Sequence, residues 1–172
     1  MSTKVKGKVW KFGDLLGDVD VVPFKYVTDF AMEPKDIAKV TLTGPRGDPE
    51  FHEKVKKGDI LVAKSIGWGH EHGILGLKEL GIGAVVADGN GWATGFALEG
   101  IPALSGEGIS EQINQGDTIE LDYVTGEIQN LTTGKTIMGK AIDKFYLDIL
   151  LKGGLVKVVK KMREEIDRKK KT

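Results

Sequence analysis

The chain has 172 residues, 29% of them charged, with 25 Lys and Arg against 25 Asp and Glu and therefore no formal net charge. This length suits one domain over residues 1–172. The balanced charge disfavours a nucleic-acid partner. No apolar run reaches the roughly 18–20 residues needed to cross a bilayer. Residues 1–11 lack the apolar stretch of a secretory signal, so we expect a cytoplasmic protein.

Two residue types are scarce in ways that limit the chemistry. Cysteine is absent, so the chain has no disulfide, no thiol nucleophile and no thiolate ligands for an iron–sulfur cluster. Arginine occurs only at positions 46, 163 and 168, so few side chains can bind a carboxylate through two parallel hydrogen bonds. Glycine, by contrast, is about twice as frequent as usual, with 24 residues, and backbone amides in glycine-rich turns are the natural substitute anion ligands.

The N-terminal third is predicted to alternate short elements and turns. We expect a strand over residues 8–12 and a second strand over 19–22 that ends before Pro23. A helix is expected over 34–40, because proline is tolerated in a first helical turn. Turn-forming residues predict a loop over 43–49.

The middle of the chain has the pattern of a βαβ unit. Residues 60–63 and 84–87 are continuous apolar runs bounded by turn residues, typical of strands covered on both faces. Between them, residues 74–80 have helical spacing and end at Gly81. This order predicts that the two strands run parallel.

The C-terminal part is predicted to be mostly β structure followed by helices. We expect a short helix over 96–99, strands over 101–104, 118–123, 127–131 and 135–138, and helices over 145–151 and 155–166. The last helix has one apolar stripe and leads, within a segment of about residues 155–172, to a basic tail that we interpret as solvated.

Two of the three histidines, His70 and His72, lie at a glycine-rich turn before a helix. Histidine titrates near neutral pH, so either could donate or accept a proton; the alternative is a turn residue satisfied by local hydrogen bonds. A lone His-x-His without a third clustered ligand is a weak metal signal, so we expect no metal site. His52 lies in a charged stretch and is interpreted as a surface residue.

An ordered set of motifs along nearly the whole chain resembles the family of 3-isopropylmalate dehydratase small subunits, part of the aconitase superfamily. The motifs are Gly7 to Asp14, the acidic stretch ending at Pro23, Pro49-Glu50-Phe51, Lys57 to Ala63, Gly67-x-Gly69, Glu71-His72, Leu77 to Ile82, Gly100-Ile101-Pro102, Gly116-Asp117 and Gly153-Gly154-Leu155.

The resemblance implies an α/β fold, the swivelling β/β/α domain, with a mixed sheet or barrel and flanking helices. It also implies a heteromeric hydro-lyase of leucine biosynthesis that acts on a hydroxy-di- or tricarboxylate. The [4Fe–4S] cluster would be on a partner large subunit, with no cofactor in this chain and no activity without the partner. The isolated chain could form a homo-oligomer. The alternative is a non-catalytic regulatory or assembly module that keeps this fold.

The chain departs from the family pattern where the chemistry is expected. In the family, Gly-x-Gly is followed by Ser-Ser-Arg, whose serine transfers a proton and whose arginine holds the substrate. Here only His70 stands between Gly69 and Glu71, and a second family arginine has no counterpart in residues 88–95. His70, with His72 in reserve, is therefore our candidate for the proton-transferring group.

The remaining candidates are substrate contacts around the same turn. Lys64 and Ser65 directly precede it and offer a cation and a hydroxyl, and Gly67 and Gly69 offer backbone amides, although a tight turn needs glycines too. Four further residues could shape the pocket or simply fill space: Trp68 and Trp92 in the two altered loops, and Tyr26 and Thr28 where the family has its substrate-selecting loop.

Overall fold

The computed structural model describes residues 2–27, 32–66, 71–89 and 93–170. Its strands are β1 (Lys4–Lys11), β2 (Leu15–Leu16), β3 (Ile60–Ala63), β4 (Ser65–Ile66), β5 (Ala84–Ala87), β6 (Ala103–Ser105), β7 (Thr118–Asp122), β8 (Glu127–Asn130) and β9 (Lys135–Met138). Its α-helices are α1 (Asp18–Val21), α2 (Phe24–Val27), α3 (Pro34–Val40), α4 (Phe51–Lys54), α5 (Glu71–Glu79), α6 (Ala93–Glu99), α7 (Lys144–Leu151) and α8 (Leu155–Lys169).

Seven strands form one mixed sheet in the order β6-β5-β3-β1-β7-β8-β9. The four strands from β6 to β1 run parallel to one another, whereas β1–β7, β7–β8 and β8–β9 are antiparallel pairs. β1 therefore lies at the junction of the two halves. β2 and β4 form a separate two-stranded parallel sheet.

The parallel strands separate two apolar clusters. Leu61 of β3 faces a helix-side cluster that includes Ile37 of α3 and Leu77 of α5. Its neighbour Val62 faces a barrel-side cluster that includes Ile119 of β7. All four residues of β3 and all four of β5 are buried, because each of these strands has a packed layer on both faces. This burial explains the continuous apolar runs in the sequence.

The sheet is curled so that its two outer strands approach each other. The backbone of Lys140, just after β9, pairs with Ser105 at the end of β6, and its N–H donates to the Ser105 carbonyl at 2.7 Å. β6 and β9 are at opposite edges of the sheet order. The result is a half-barrel with flanking helices, the mixed α/β architecture expected from the resemblance.

The parallel βαβ unit is confirmed. β3 and β5 pair in parallel through four residues, with α5 between them in the chain. Gly81 ends the helix of this connection with φ of +78°, a backbone conformation that residues other than glycine rarely adopt. The strand expected over 101–104 is shifted to Ala103–Ser105, and the final helix extends to Lys169. Within the described residues, no helix has the length and apolar character of a membrane span.

The strand predicted over residues 19–22 is wrong, because this segment forms the short helix α1. The carbonyl of Gly17 accepts hydrogen bonds from the N–H groups of Asp20 and Val21, which closes a helical turn. The Asp20 carboxylate accepts a further bond from the Gly17 N–H at 2.9 Å. These local bonds outweigh the strand preference of a valine-rich stretch. The short helix α4 has no counterpart among the sequence-based predictions.

Candidate functional site

The candidate site lies at the carboxyl ends of the parallel strands. β3, β5 and β6 end at the same edge of the sheet, so the residues that follow them, Lys64 and Asp88, are neighbours of the end of β6. In parallel α/β sheets, ligands bind in crevices outside this edge. The small β2–β4 sheet continues directly from the end of β3 through Lys64.

Lys64 extends its ammonium group from this edge into a solvent-accessible position. Its side chain is 52% exposed, and its Nζ lies 3.6 Å from Oε1 of Glu111, which is more exposed still. An ion pair this long and this exposed contributes little stability, so the positive charge stays available to another anion. The structure therefore gives Lys64 the accessibility that a carboxylate contact needs.

Asp88 fixes the relative positions of three segments at the edge. Its N–H donates to the Lys64 carbonyl at 3.0 Å, and its Oδ1 accepts from the Ser110 N–H at 2.7 Å. These two bonds connect the ends of β3 and β5 to the 3-10 helix Ser110–Gln112. Sequence analysis assigned no role to Asp88, although its position directly after a buried strand is a detectable signal.

Ser65 is exposed at the start of β4, while the next residue, Ile66, is buried. The Ser65 N–H donates to the Asp14 carbonyl at 3.0 Å, and its backbone pairs with Leu15 of β2. Both bonds use the backbone and hold Ser65 in an extended segment. The structure thus places Ser65 beside Lys64, as chain order requires, with its side chain on the accessible face.

His72 is the second residue of α5 and is half-buried, so it sits in the first turn of the helix that follows the glycine-rich turn. Its predicted neighbours lie outside the described residues: His70, Gly67, Trp68, Gly69 and, on the second altered loop, Trp92. Their proposed roles remain sequence-based predictions.

Tyr26 has the described contacts of a packing residue. It belongs to α2, is half-buried and packs against the helix-side cluster. The ammonium of Lys25 lies over the Tyr26 ring in a cation–π contact, with Nζ 4.6 Å from the ring centroid. Thr28, the other residue predicted for the substrate-selecting loop, lies outside the described residues.

A cavity of about 150 Å³ opens where β6 approaches the segment after β9. It is lined by the polar or charged residues Thr94, Ser105, Lys140, Asp143 and Tyr146 and by the apolar residues Ala93, Ala103, Ala141 and Ile142. The sequence does not reveal this cavity, because it exists only when the sheet curls and brings residues 105 and 140 together.

The most deeply buried charge is Asp20, whose side chain is 1% exposed and pairs with Arg46 at 3.0 Å. Burial by itself would raise the pKa of the Asp20 carboxyl. The hydrogen bonds from Gly17 and Arg46, together with the Arg46 charge, outweigh burial and hold this pKa below its ordinary value. This pair connects α1 to the loop over 43–49, so its role is structural.

No metal centre is visible in the part of the chain that the structure describes: no three His, Asp or Glu side chains are close enough to hold an ion.

Comparison with known proteins gives a consistent result. No protein-family model matches the chain. The isopropylmalate/citramalate isomerase small subunit of Methanocaldococcus jannaschii is 40% identical over 172 residues, covering 96% of this chain and 99% of that protein. The 3-isopropylmalate dehydratase small subunit of Thermodesulfovibrio yellowstonii is 36% identical, covering 92% and 95%.

A solved structure agrees with these relatives. The crystal structure of 3-isopropylmalate dehydratase from Methanocaldococcus jannaschii superimposes with a TM-score of 0.83 at 30% identity, over 97% of this chain and 99% of that chain. The similarity in sequence and in fold therefore extends over almost the whole length of both partners in each comparison.

Proposed function

Because this chain belongs to the family of 3-isopropylmalate dehydratase small subunits, we propose that it is the small subunit of a two-component hydro-lyase of the aconitase superfamily. The observation that carries the proposal is the near-complete coverage of both partners, 96% and 99%, at 40% identity. We propose a hydroxy-dicarboxylate substrate, the chemical class of the isopropylmalate and citramalate named for the relatives.

The residues of this chain do not fit an iron–sulfur cluster. The sequence has no cysteine, and thiolates are the usual ligands of such clusters. We propose that the large subunit supplies the [4Fe–4S] cluster and that the small subunit contributes substrate contacts from the carboxyl edge of its parallel strands. The exposed, weakly paired ammonium of Lys64 supports this division of roles.

The proposed contacts of this chain are cationic and backbone groups. Lys64 binds a substrate carboxylate, Ser65 offers a hydroxyl beside it, and the amides of Gly67 and Gly69 approach the same anion. Only His70 stands between Gly69 and Glu71, where the resemblance places the family's Ser-Ser-Arg segment. We propose that an ammonium and backbone amides replace the arginine grip, and that this change selects a different hydroxy acid from isopropylmalate.

For proton transfer we propose His70, with His72 as the second candidate. An imidazole titrates near neutral pH and can therefore remove or return a proton in each turnover. The position of His72 in the first turn of α5, directly after the segment that contains His70 in the sequence, supports its candidacy. Trp68, Tyr26 and Thr28 are proposed to shape the apolar part of the pocket.

The test is reconstitution of the small subunit with its large subunit, followed by turnover with a panel of hydroxy-dicarboxylates. Neither subunit alone is expected to be active, and the complex is expected to dehydrate at least one member of the panel. Stoichiometric iron and sulfide in the isolated small subunit, or turnover by it alone, would contradict the proposal.

His70→Ala in the reconstituted complex is expected to lower kcat by about 10²–10⁴-fold, the usual contribution of a general base, and His70→Gln is expected to be nearly as poor. His52→Ala serves as the control, since His52 lies in the short helix α4. Subunit binding should stay unchanged in all three variants. Changes below about threefold in both His70→Ala and His72→Ala would remove the proton-transfer role from this turn.

A further inference from the structure

The cavity between β6 and the segment after β9 is large enough for part of a small molecule. Its volume of about 150 Å³ equals that of an engineered protein cavity that admits benzene, so it has room for about six non-hydrogen atoms. It lies at the end of β6, where the backbones of Ser105 and Lys140 pair. Because β6 runs parallel to β5 and β3, the cavity belongs to the same strand edge as Lys64 and Asp88.

Ser105 contributes a buried hydroxyl to this cavity. The residue is 5% exposed and is one of the lining residues. Its carbonyl accepts from the Lys140 N–H, but its hydroxyl has no hydrogen-bond partner among the described residues. The hydroxyl is not sealed from solvent either, because the buried side-chain atom of the described chain that lacks both solvent contact and a partner is Nδ1 of His52. An unpartnered buried hydroxyl costs free energy, so a polar occupant of the cavity would satisfy it.

Three other lining residues carry polar groups that are also available. The Thr94 and Tyr146 hydroxyls and the Lys140 ammonium have no hydrogen-bond partner or ion pair within the described part of the chain. Lys140 is the single basic residue of the described lining. The acidic residue of that lining, Asp143, is engaged locally, because its Oδ1 caps α7 by accepting from the Phe145 N–H at 2.9 Å.

This set of groups matches a carboxylate. An ammonium supplies the counter-charge and donors, and hydroxyls donate to carboxylate oxygens. The Lys140 charge disfavours a cation, and an apolar ligand would leave the Ser105 hydroxyl unpaired. The apolar part of the lining, which includes Ala103 and Ile142, suits the carbon chain that carries the carboxylate. The cavity therefore favours one end of a small carboxylic acid.

A second, narrower cavity adjoins the first on the side of the glycine-rich turn. It has a volume of about 20 Å³ and shares the lining residues Ala93 and Ala103 with the larger cavity. Its lining also includes Gly89, beyond the end of β5, and Ile66, which directly precedes Gly67 in the chain. Every described residue of this lining is apolar, so the narrow cavity suits carbon rather than charge. An acid with its carboxylate in the larger cavity can extend its carbon chain toward the turn.

We propose that the larger cavity is a carboxylate subsite, in which Lys140 and Ser105 bind the second carboxylate of the hydroxy-dicarboxylate whose first carboxylate is held near the glycine-rich turn. Thr94 and Tyr146 add hydroxyl contacts. This inference rests on the proposed function and deepens it, because it assigns the residues that distinguish a dicarboxylate from a monocarboxylate.

Inhibition of the reconstituted complex by two non-reacting acids tests the subsite. Succinate has two carboxylates and butyrate has one, on carbon chains of equal length. Lys140→Gln is expected to raise the Ki of succinate about tenfold, the effect of losing a charge-assisted contact, and to leave the Ki of butyrate within about twofold. The KM of the hydroxy-dicarboxylate should rise with the succinate Ki while kcat changes less than about threefold, because the contact is made equally in the bound substrate and in the transition state.

Two further variants make the test specific. Ser105→Ala removes the unpartnered hydroxyl but keeps the backbone pairing with Lys140, and it is expected to raise the succinate Ki about threefold. Lys144→Gln is the matched control, because Lys144 is exposed, follows Asp143 in the chain and is not among the described lining residues. Both Ki values should stay unchanged in this control. Circular dichroism and binding to the large subunit should match the native protein in all three variants.

Three results would overturn the subsite. The first is a native complex that dehydrates hydroxy-dicarboxylates and whose Lys140→Gln variant keeps the native succinate Ki. The second is an equal rise of both Ki values in Lys140→Gln, which would assign Lys140 to the carboxylate that the two acids share. The third is an equal effect of Lys144→Gln, which would indicate the general charge of the surface. A native complex that turns over no hydroxy-dicarboxylate would instead contradict the proposed function itself, and the subsite with it.

Discussion

Replacing the buried carboxylate of Asp20 is expected to destabilise the fold strongly, because three donors converge on it. Its Oδ2 accepts from the Gly17 N–H at 2.9 Å and from the Arg46 Nη1 at 3.0 Å, and its Oδ1 accepts from the Arg46 N–H at 3.1 Å. Asp20→Asn keeps the shape but can present only one acceptor oxygen. In its better orientation the new amide faces the Arg46 N–H, which is left without an acceptor.

The expected cost follows from these contacts. One unsatisfied buried N–H costs about 1–3 kcal/mol. The two remaining hydrogen bonds are no longer made to a charged acceptor, which roughly halves the strength of each bond. We therefore expect Asp20→Asn to lower the free energy of unfolding by about 2–4 kcal/mol. Arg46→Ala removes one bond and the counter-charge of the buried carboxylate but leaves both backbone donors in place, so it too should destabilise the fold.

Urea denaturation followed by circular dichroism measures these differences, with Asp36→Asn as the control. Asp36 also accepts from a cation, Lys39 at 2.8 Å, but this pair is exposed, so its loss should hardly change the free energy of unfolding. A free energy of unfolding for Asp20→Asn within about 0.5 kcal/mol of the native protein would refute the assigned role of the buried carboxylate.

The pH dependence gives a second check on Asp20. Its pKa is lower in the folded than in the unfolded chain, so the stabilisation is fully present above the unfolded value of about 3.9 and disappears as pH falls through the lower folded value. The difference in free energy of unfolding between the native protein and Asp20→Asn should stay constant from pH 7 to pH 5 and become smaller only below about pH 4. If this difference in free energy of unfolding became smaller already near pH 6, another titrating group would be responsible.

Two further substitutions test the helix packing and the strand edge. In Gly76→Ala the new methyl group would collide with the Thr41 hydroxyl between α5 and α3. Urea denaturation should therefore show a free energy of unfolding lower by about 1–3 kcal/mol. The control is Gly95→Ala in α6, whose new methyl group meets only an ordinary contact at 3.7 Å and should be neutral or stabilising. Lys64→Gln in the reconstituted complex should raise KM about tenfold, equivalent to about 1.4 kcal/mol of a charge-assisted contact, with Lys78→Gln as control; an unchanged KM would remove Lys64 from the site.

Sequence patterns predicted the parts of the fold in which local and tertiary preferences agree. β3 and β5 are apolar at every position because both faces are covered, and Gly81 terminates the helical connection between them with a positive φ. The segment 19–22 failed because a side chain, Asp20, closes a local turn that valine content does not reveal.

For the site, chain order alone located Lys64 and Ser65 at the end of a buried strand. It could not locate the cavity between β6 and the segment after β9, because residues 105 and 140 meet only through the curl of the whole sheet. The position of Asp88 directly after a buried strand was detectable, but its hydrogen bond to Ser110, 22 residues away, was not.

The central position of β1 also determines when the fold can be completed during synthesis. Among the described strands β1 leaves the ribosome first, yet it pairs with β3 on one side and with β7, up to Asp122, on the other. The parallel half can assemble only after β3, β5 and β6 have emerged, and the antiparallel half must wait for residue 122 and beyond. Until then one edge of β1 is unpaired, so the nascent chain is exposed to misassociation through this strand.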